Sequence, residues 1–119
     1  MGHASEIDIK EIESEVSKLI TENEKVEKAF KVIRDLFIFT DKRLIFIDKQ
    51  GLTGKKIGYH SIPYKNISHF SIESTGHFDL DAELKIWAKG QSEPIKKEFK
   101  KDTAVLNIQA TLAKYVLVT

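Results

Sequence analysis

The residues of this chain with the most chemical potential are three carboxylates, four histidines, three pairs of lysines and one glycine-bracketed loop. Asp79, Asp81 and Glu83 recur at spacing two, and oxygen ligands of that kind suit Ca²⁺ or Mg²⁺. On a strand, however, side chains at spacing two leave one face in parallel, whereas the ligands of a calcium loop converge. A solvated exterior answered by lysines on adjacent strands is the better reading. His3, His60, His69 and His77 fall at no paired metal spacing, and the chain has no cysteine to complete a zinc set. His60 and His69 are expected on neighbouring strands, where they could face each other. Gly51-Leu52-Thr53-Gly54-Lys55-Lys56 invites a phosphate-loop reading. A Walker loop needs four residues between its glycines and a Ser or Thr after the lysine, and neither is present. A GxxG loop that clamps RNA joins two helices, and this one joins two strands. It reads as a hairpin loop. No nucleophile–histidine–carboxylate constellation is legible from spacing, and such triads are geometric. The expectation is a non-enzymatic chain with no metal and no cofactor.

The lysines pair at Lys55/Lys56, Lys96/Lys97 and Lys100/Lys101. Basic clusters attract anionic lipid at about 1 kcal/mol per residue near the surface, so Lys55, Lys56, Lys96 and Lys97 form a candidate anionic-ligand patch. Glu98 and Asp102 interrupt the later pairs. The overall balance is 19 Lys and Arg against 18 Asp and Glu, a formal net charge of +1. That lacks the basic excess of a nucleic-acid binder and leaves membrane binding weak or absent.

The 119 residues fit one domain with one core, and 41% hydrophobic with 31% charged residues is ordinary for a globular protein. No apolar run approaches the roughly 20 residues of a membrane span. Glu6, Asp8, Glu11, Glu13 and Glu15 stand where a signal peptide would need an uncharged apolar stretch. Met1-Gly2 is followed by Glu6 where myristoylation would want Ser or Thr. The expected location is cytoplasmic.

Positioning falls mainly to strands. From Ser5 to Thr21 the apolar residues Ile9, Ile12, Val16, Leu19 and Ile20 recur at helical spacing, which predicts an amphipathic N-terminal helix capped by Ser5. Seven strands follow, over 25–33, 35–40, 43–48, 55–62, 66–74, 80–88 and 94–100, broken by turn chemistry. A closing helix spans Thr103 to Val116, with Asp102 as N-cap and Val105, Ile108, Leu112 and Tyr115 as its apolar face. The domain is therefore a single unit over 1–119: a helical extension over 1–22, then a barrel with a capping helix over 24–116.

The hairpin in the middle is apolar on both faces: Leu36-Phe37-Ile38-Phe39-Thr40, Asp41-Lys42-Arg43, Leu44-Ile45-Phe46-Ile47-Asp48. A half-exposed strand would alternate, so both faces need cover. Leu36, Ile38, Leu44 and Phe46 are expected on one face, and Phe37, Phe39, Ile45 and Ile47 on the other. Over 80–88 alternation is clean, with Trp87 on the polar side with Asp81, Glu83 and Lys85.

Longer strings carry a resemblance. Ala29-Phe30-Lys31-Val32-Ile33-Arg34-Asp35-Leu36, Phe39-Thr40-Asp41-Lys42-Arg43-Leu44, Asp48-Lys49-Gln50-Gly51-Leu52-Thr53-Gly54-Lys55-Lys56, Ser61-Ile62-Pro63-Tyr64 and Phe78-Asp79-Leu80-Asp81-Ala82-Glu83-Leu84-Lys85-Ile86-Trp87 resemble the bacterial pleckstrin-homology (PH) domain family. The resemblance implies a mainly β, PH-like, seven-stranded antiparallel barrel capped by a C-terminal helix. It also implies ring-like homo-oligomers, and it brings no catalytic residues. The short Arg34-Asp35 connection, mixed in charge, contrasts with the basic loop by which lipid-binding PH domains grip phosphoinositides. The apolar surplus points to a subunit interface drawn from Ile12, Val16, Leu19, Phe37, Phe39, Ile45, Ile47 and Trp87. The expected partner is the chain itself, or another protein.

Overall fold

The computed structural model describes residues 4–50, 56–74, 81–100 and 103–118. Its strands are β1 (Ala4–Glu6), β2 (Val26–Val32), β3 (Asp35–Thr40), β4 (Arg43–Gln50), β5 (Lys56–Pro63), β6 (Ile67–Ser74), β7 (Asp81–Ala88) and β8 (Ile95–Lys100). The helices are α1 (Glu13–Val16) and α2 (Thr103–Val116). Antiparallel pairing gives a five-stranded sheet ordered β1-β2-β3-β4-β5 and a three-stranded sheet ordered β6-β7-β8. The seven expected strands are all present, and β1 is added to them.

The N-terminal segment differs most from expectation. Ser5 sits in β1, paired with Lys31 of β2, and the Ile7 amide donates to the Ala29 carbonyl at 3.0 Å. Helical structure begins only at Asp8, whose extended backbone and side chain cap Lys10 N at 3.0 Å. A 3₁₀ turn over Ile9–Ile12 leads into α1, which is four residues long. The apolar stripe still faces inward. Strand pairing takes the first residues because β2 would otherwise be left with an unpaired edge.

The register decides which faces the hairpin offers. Phe37 pairs with Phe46 and Phe39 with Leu44, while Leu36 pairs with Ile47 and Ile38 with Ile45. Directly opposed residues share a face, so the expected grouping is corrected. Phe37, Phe39, Leu44 and Phe46 line the barrel with Phe30, Leu84, Ile86 and Phe99. Leu36, Ile38, Ile45 and Ile47 point outward and meet Ile12, Val16, Leu19 and Ile20. Both layers lie within one chain, which is why all six residues of β3 are buried.

Helix α2 closes the barrel at the turn end of the hairpin. Val105, Ile108 and Leu112 are fully buried in the barrel core. Tyr115 stacks on Tyr64 at 4.6 Å and on Phe39 at 6.2 Å between ring centroids. The expected N-cap, Asp102, lies outside the described residues. No helix among the described residues is long and apolar enough to cross a membrane.

Candidate functional site

Three surfaces of the molecule carry groups able to recognise something. The first is the outer face of the three-stranded sheet. Along β7, Ala82, Leu84 and Ile86 are buried, and Asp81, Glu83, Lys85 and Trp87 alternate with them on the other side. Trp87 is half-buried there because His69 of β6 stacks on it, centroids 4.2 Å apart and planes 15° apart. Ser68 Oγ lies 3.0 Å from His69 Nδ1 and donates to the Trp87 carbonyl at 3.2 Å. Lys85 bridges Glu73 and Glu83, both at 3.3 Å. Its hydrogen bonds to these two carboxylates push its ammonium above the ordinary lysine range.

The second surface is the end of the hairpin away from α2. Lys97 Nζ reaches Asp35 Oδ2 at 2.7 Å and Asp48 Oδ1 at 3.6 Å, and sits 5.5 Å from the centre of the Phe46 ring. Lys97 is inward-leaning because it shares a strand face with the buried Phe99. Asp35 Oδ1 in turn accepts the Lys49 amide at 2.8 Å. Lys96, on the opposite face, comes within 3.8 Å of Glu83.

The third surface is β5. This eight-residue strand has β4 on one side and no strand on the other among the described residues. Ile57 is 39% exposed and Tyr59 50% exposed. An open cleft separates the later part of β5 from the β7–β8 turn, with Tyr59, Ile62, Pro63, Lys89, Gln91 and Pro94 among its lining residues.

A buried ionic network anchors the N-terminal layer behind these surfaces. Glu24 Oε2 accepts from Thr40 Oγ1 at 2.6 Å and from Arg43 Nε at 2.8 Å. Glu24 Oε1 accepts from Arg43 Nη2 at 2.9 Å and from the Thr21 amide at 3.1 Å. Arg43 also donates to the Leu19 carbonyl at 2.6 Å and to Ser61 Oγ at 2.9 Å. Burial alone would push the Glu24 carboxyl up, but the hydrogen bonds from Arg43, Thr40 and Thr21 outweigh it and hold it at about 2. Nearby, Tyr64 donates to the Thr40 carbonyl at 2.6 Å. Its burial, with Glu27, Asp41 and Glu24 around it, pushes its hydroxyl well above the usual phenol range.

Measured against the candidate residues, the structure redistributes them. Ile12, Val16 and Leu19 do meet Ile45 and Ile47, but inside one chain. Phe37 and Phe39 are in the barrel core, on the other face of the sheet. None of these four hairpin residues is available to a neighbour: each is 1% exposed or less. The expectation that the hairpin supplies an intermolecular surface is therefore corrected. Trp87 stands apart on the second sheet. Of the candidate anionic-ligand patch, Lys55 lies outside the described residues, Lys56 is exposed at the start of β5, and Lys97 is held by two carboxylates. His60 and His69 do not face each other, since β5 and β6 belong to different sheets; His60 stacks instead on Phe46 at 5.9 Å. Glu83 is answered by Lys85 and Lys96 as expected of an exterior face, while Asp79 lies outside the described residues. The Glu24–Arg43 network and the apolar β5 edge were not among the candidates. Alternation of Ile57 and Tyr59 over Gly58 was the available signal for the edge.

Two antiparallel sheets closed by a C-terminal helix define a PH-like fold. The chain belongs to the bacterial PH domain family, whose pattern it matches over residues 1–116. It is 54% identical to the uncharacterized protein YjqA of Bacillus subtilis (strain 168) over 114 residues, covering 95% of this chain and 91% of that protein. It is 37% identical to the uncharacterized protein YozO of the same organism, covering 82% of this chain and 83% of that one. Among solved structures, it resembles a PH domain from Shewanella amazonensis, with a TM-score of 0.84 and 56% identity, covering 99% of this chain and 95% of that one. A DUF1696 family protein with a PH domain from Shewanella loihica gives a TM-score of 0.79 and 52% identity, covering 98% and 99% of the two chains.

Proposed function

We propose that this PH-like domain is a non-catalytic, cytoplasmic scaffold module that assembles with copies of itself through the β5 edge. The observation that carries the reading is the strand itself. It is eight residues long, has a sheet neighbour on one side only among the described residues, and exposes Ile57 and Tyr59. Soluble proteins usually blunt such an edge, because its free backbone groups template pairing with another chain. Here Lys56 at the strand's start is the one charged residue of β5. A head-to-tail contact made by such an edge closes into a ring when its rotation permits. The alternative, an anionic-lipid surface built from the lysine pairs, is weakened by the carboxylates that hold Lys97 and approach Lys96.

Light scattering on the eluting protein tests the scaffold reading. The expected mass is a multiple of the 13.6 kDa chain, reduced towards one chain in the double variant Ile57→Lys, Tyr59→Lys. A monomer mass for the unaltered protein at about tens of micromolar, where a working oligomer with sub-micromolar affinity would persist, overturns it.

A further inference from the structure

At the opposite edge of the same sheet lies a groove of different character. Strand β1 covers β2 only from Phe30 to Val32, and the Ile7 amide extends that cover to Ala29. At Asp8 the chain leaves the strand pairing and enters its 3₁₀ turn, which packs against β2 and brings Ile9 to the groove. Consequently β2 from Val26 to Lys28 has no strand neighbour on that side among the described residues. Helix α2, packed beside β1, forms the facing wall, and a cavity of ≈ 540 Å³ lies between them. Its lining mixes Val26, Ala110 and Tyr115 with Lys25, Lys28 and Lys114. None of the three ammoniums has a carboxylate within ion-pair distance among the described residues. Lys114 lies instead 5.3 Å from the centre of the Tyr115 ring. Among the described lining residues Glu27 is the one carboxylate against these three lysines, with Asp41 accepting the Lys25 amide beside them.

We propose that this groove binds an extended acidic peptide segment of a partner protein, added as a strand beside Val26–Lys28. Two independent features point to that occupant. An unpaired strand edge offers backbone donors and acceptors that only another polypeptide can match in register. Three ammoniums with no ion-pair partner among the described residues, in a groove also lined by Val26, Ala110 and Tyr115, select acids interleaved with apolar residues. An extended segment delivers that pattern, because its side chains alternate between faces. A lipid headgroup would satisfy the charge and leave the strand edge unmatched. A second copy of this chain presenting its β5 edge is a poor fit, since β5 carries Lys56 and no acid. The proposal does not rest on self-assembly, for β5 lies at the other edge of the sheet.

The test uses the full chain and a fluorescein-labelled peptide of alternating glutamate and valine, read by fluorescence anisotropy. Saturable binding is expected below about 1 mM, weakening as salt screens the charges. An alternating lysine–valine peptide should not bind. The same acidic peptide with alternate backbone amides methylated should lose at least about tenfold in affinity. The variant Lys28→Glu with Lys114→Glu should lose about tenfold or more while keeping its circular dichroism spectrum and its light-scattering mass. No saturable binding up to about 1 mM, or equal binding by this variant, overturns the proposal. Vesicles rich in phosphatidylserine that bind through Lys28 and Lys114 while the peptide stays inert would assign the groove to lipid and also overturn it. A changed mass in the variant would tie the groove to assembly and overturn its assignment to a separate partner.

Discussion

In the five-stranded sheet, β3 and β4 are covered on both faces; in the three-stranded sheet, β7 is covered on one. The outward side chains of the first, Leu36, Ile38, Ile45 and Ile47, are roofed by the N-terminal layer. Those of the second are Asp81, Glu83, Lys85 and Trp87: Lys85 pairs across to Glu73 and along its own strand with Glu83, and Trp87 stacks on His69, all partly open to water. Hydrophobic runs therefore report how many covers a strand needs, not where the cover comes from. Here the second cover is the chain's own segment from Ile7 to Ile20. This shifts the search for intermolecular surface from the hairpin to the two sheet edges left unpaired among the described residues, one apolar at β5 and one lined by lysines beside α2.

The comparison breaks most sharply with a charge placed on each outer face. Ile47→Asp buries a carboxylate beneath the N-terminal layer at a position with no exposure. The expected loss exceeds about 4 kcal/mol, in the range of buried unpaired charge, so denaturant titration should find little folded protein. Trp87→Asp removes a half-buried ring and its stack on His69, with an expected loss of about 1–2 kcal/mol. Equal losses at the two sites would mean that the two sheets do not differ in cover as described.

Next in size is the tie between cover and sheet. Glu24→Ala leaves Arg43 without its carboxylate, and Arg43 is what holds the Leu19 carbonyl and Ser61 to the hairpin. Breaking a buried pair costs about 3–5 kcal/mol, and the lower end applies because the Arg43 side chain is 22% exposed. The same pair sets an acid response. A carboxyl whose folded value is about 2, below its ordinary 4.5, binds fewer protons folded than unfolded. Its contribution is complete above the ordinary carboxylate range and is lost as pH falls from about 4.5 towards 2. Glu24→Gln should therefore flatten the urea midpoint between pH 5 and 3 relative to the unaltered protein. An unchanged slope would place the acid sensitivity in other carboxylates.

Much of this architecture is legible in the sequence. The seven longer strands and α2 follow from period and turn residues, and the inward faces of β7 and α2 follow from alternation and helical spacing. What resisted reading has physical causes. Ser5-Glu6-Ile7 carries neither a full strand period nor a helix, and its pairing with β2 is decided by a partner edge twenty-odd residues away. The hairpin's face assignment depends on register, and a one-residue change in pairing moves every side chain to the other face. Glu24 and Arg43 are charged residues nineteen apart in sequence; composition marks such residues as exterior, and only the fold makes them a buried pair. The basic groove draws Lys25 and Lys28 from one strand and Lys114 from the last helix, a juxtaposition no spacing rule encodes.

The smallest expected effect sharpens the comparison at the tips of the two sheets. Each sheet has a tight turn requiring a positive φ. In the β7–β8 turn Gly90 takes it, at φ 83°, where the absence of a Cβ makes the conformation free of strain. In the β2–β3 turn, Ile33 takes it at φ 61°. The register closes from Val32 to Asp35 across Ile33 and Arg34, and a two-residue turn with positive φ at its first central position favours glycine there. A β-branched residue in the left-handed region is strained by about 1–2 kcal/mol, and Ile33 is 46% exposed, so little burial offsets it. Ile33→Gly removes the strain and adds freedom to the unfolded chain, which returns part of the gain. The expected net is a stabilisation of about 0.5–1 kcal/mol, seen as a higher urea midpoint with an unchanged slope. A lower midpoint would show that Ile33 makes contacts worth more than its strain, and that this tip, unlike the Gly90 turn, is kept strained for what its side chain touches.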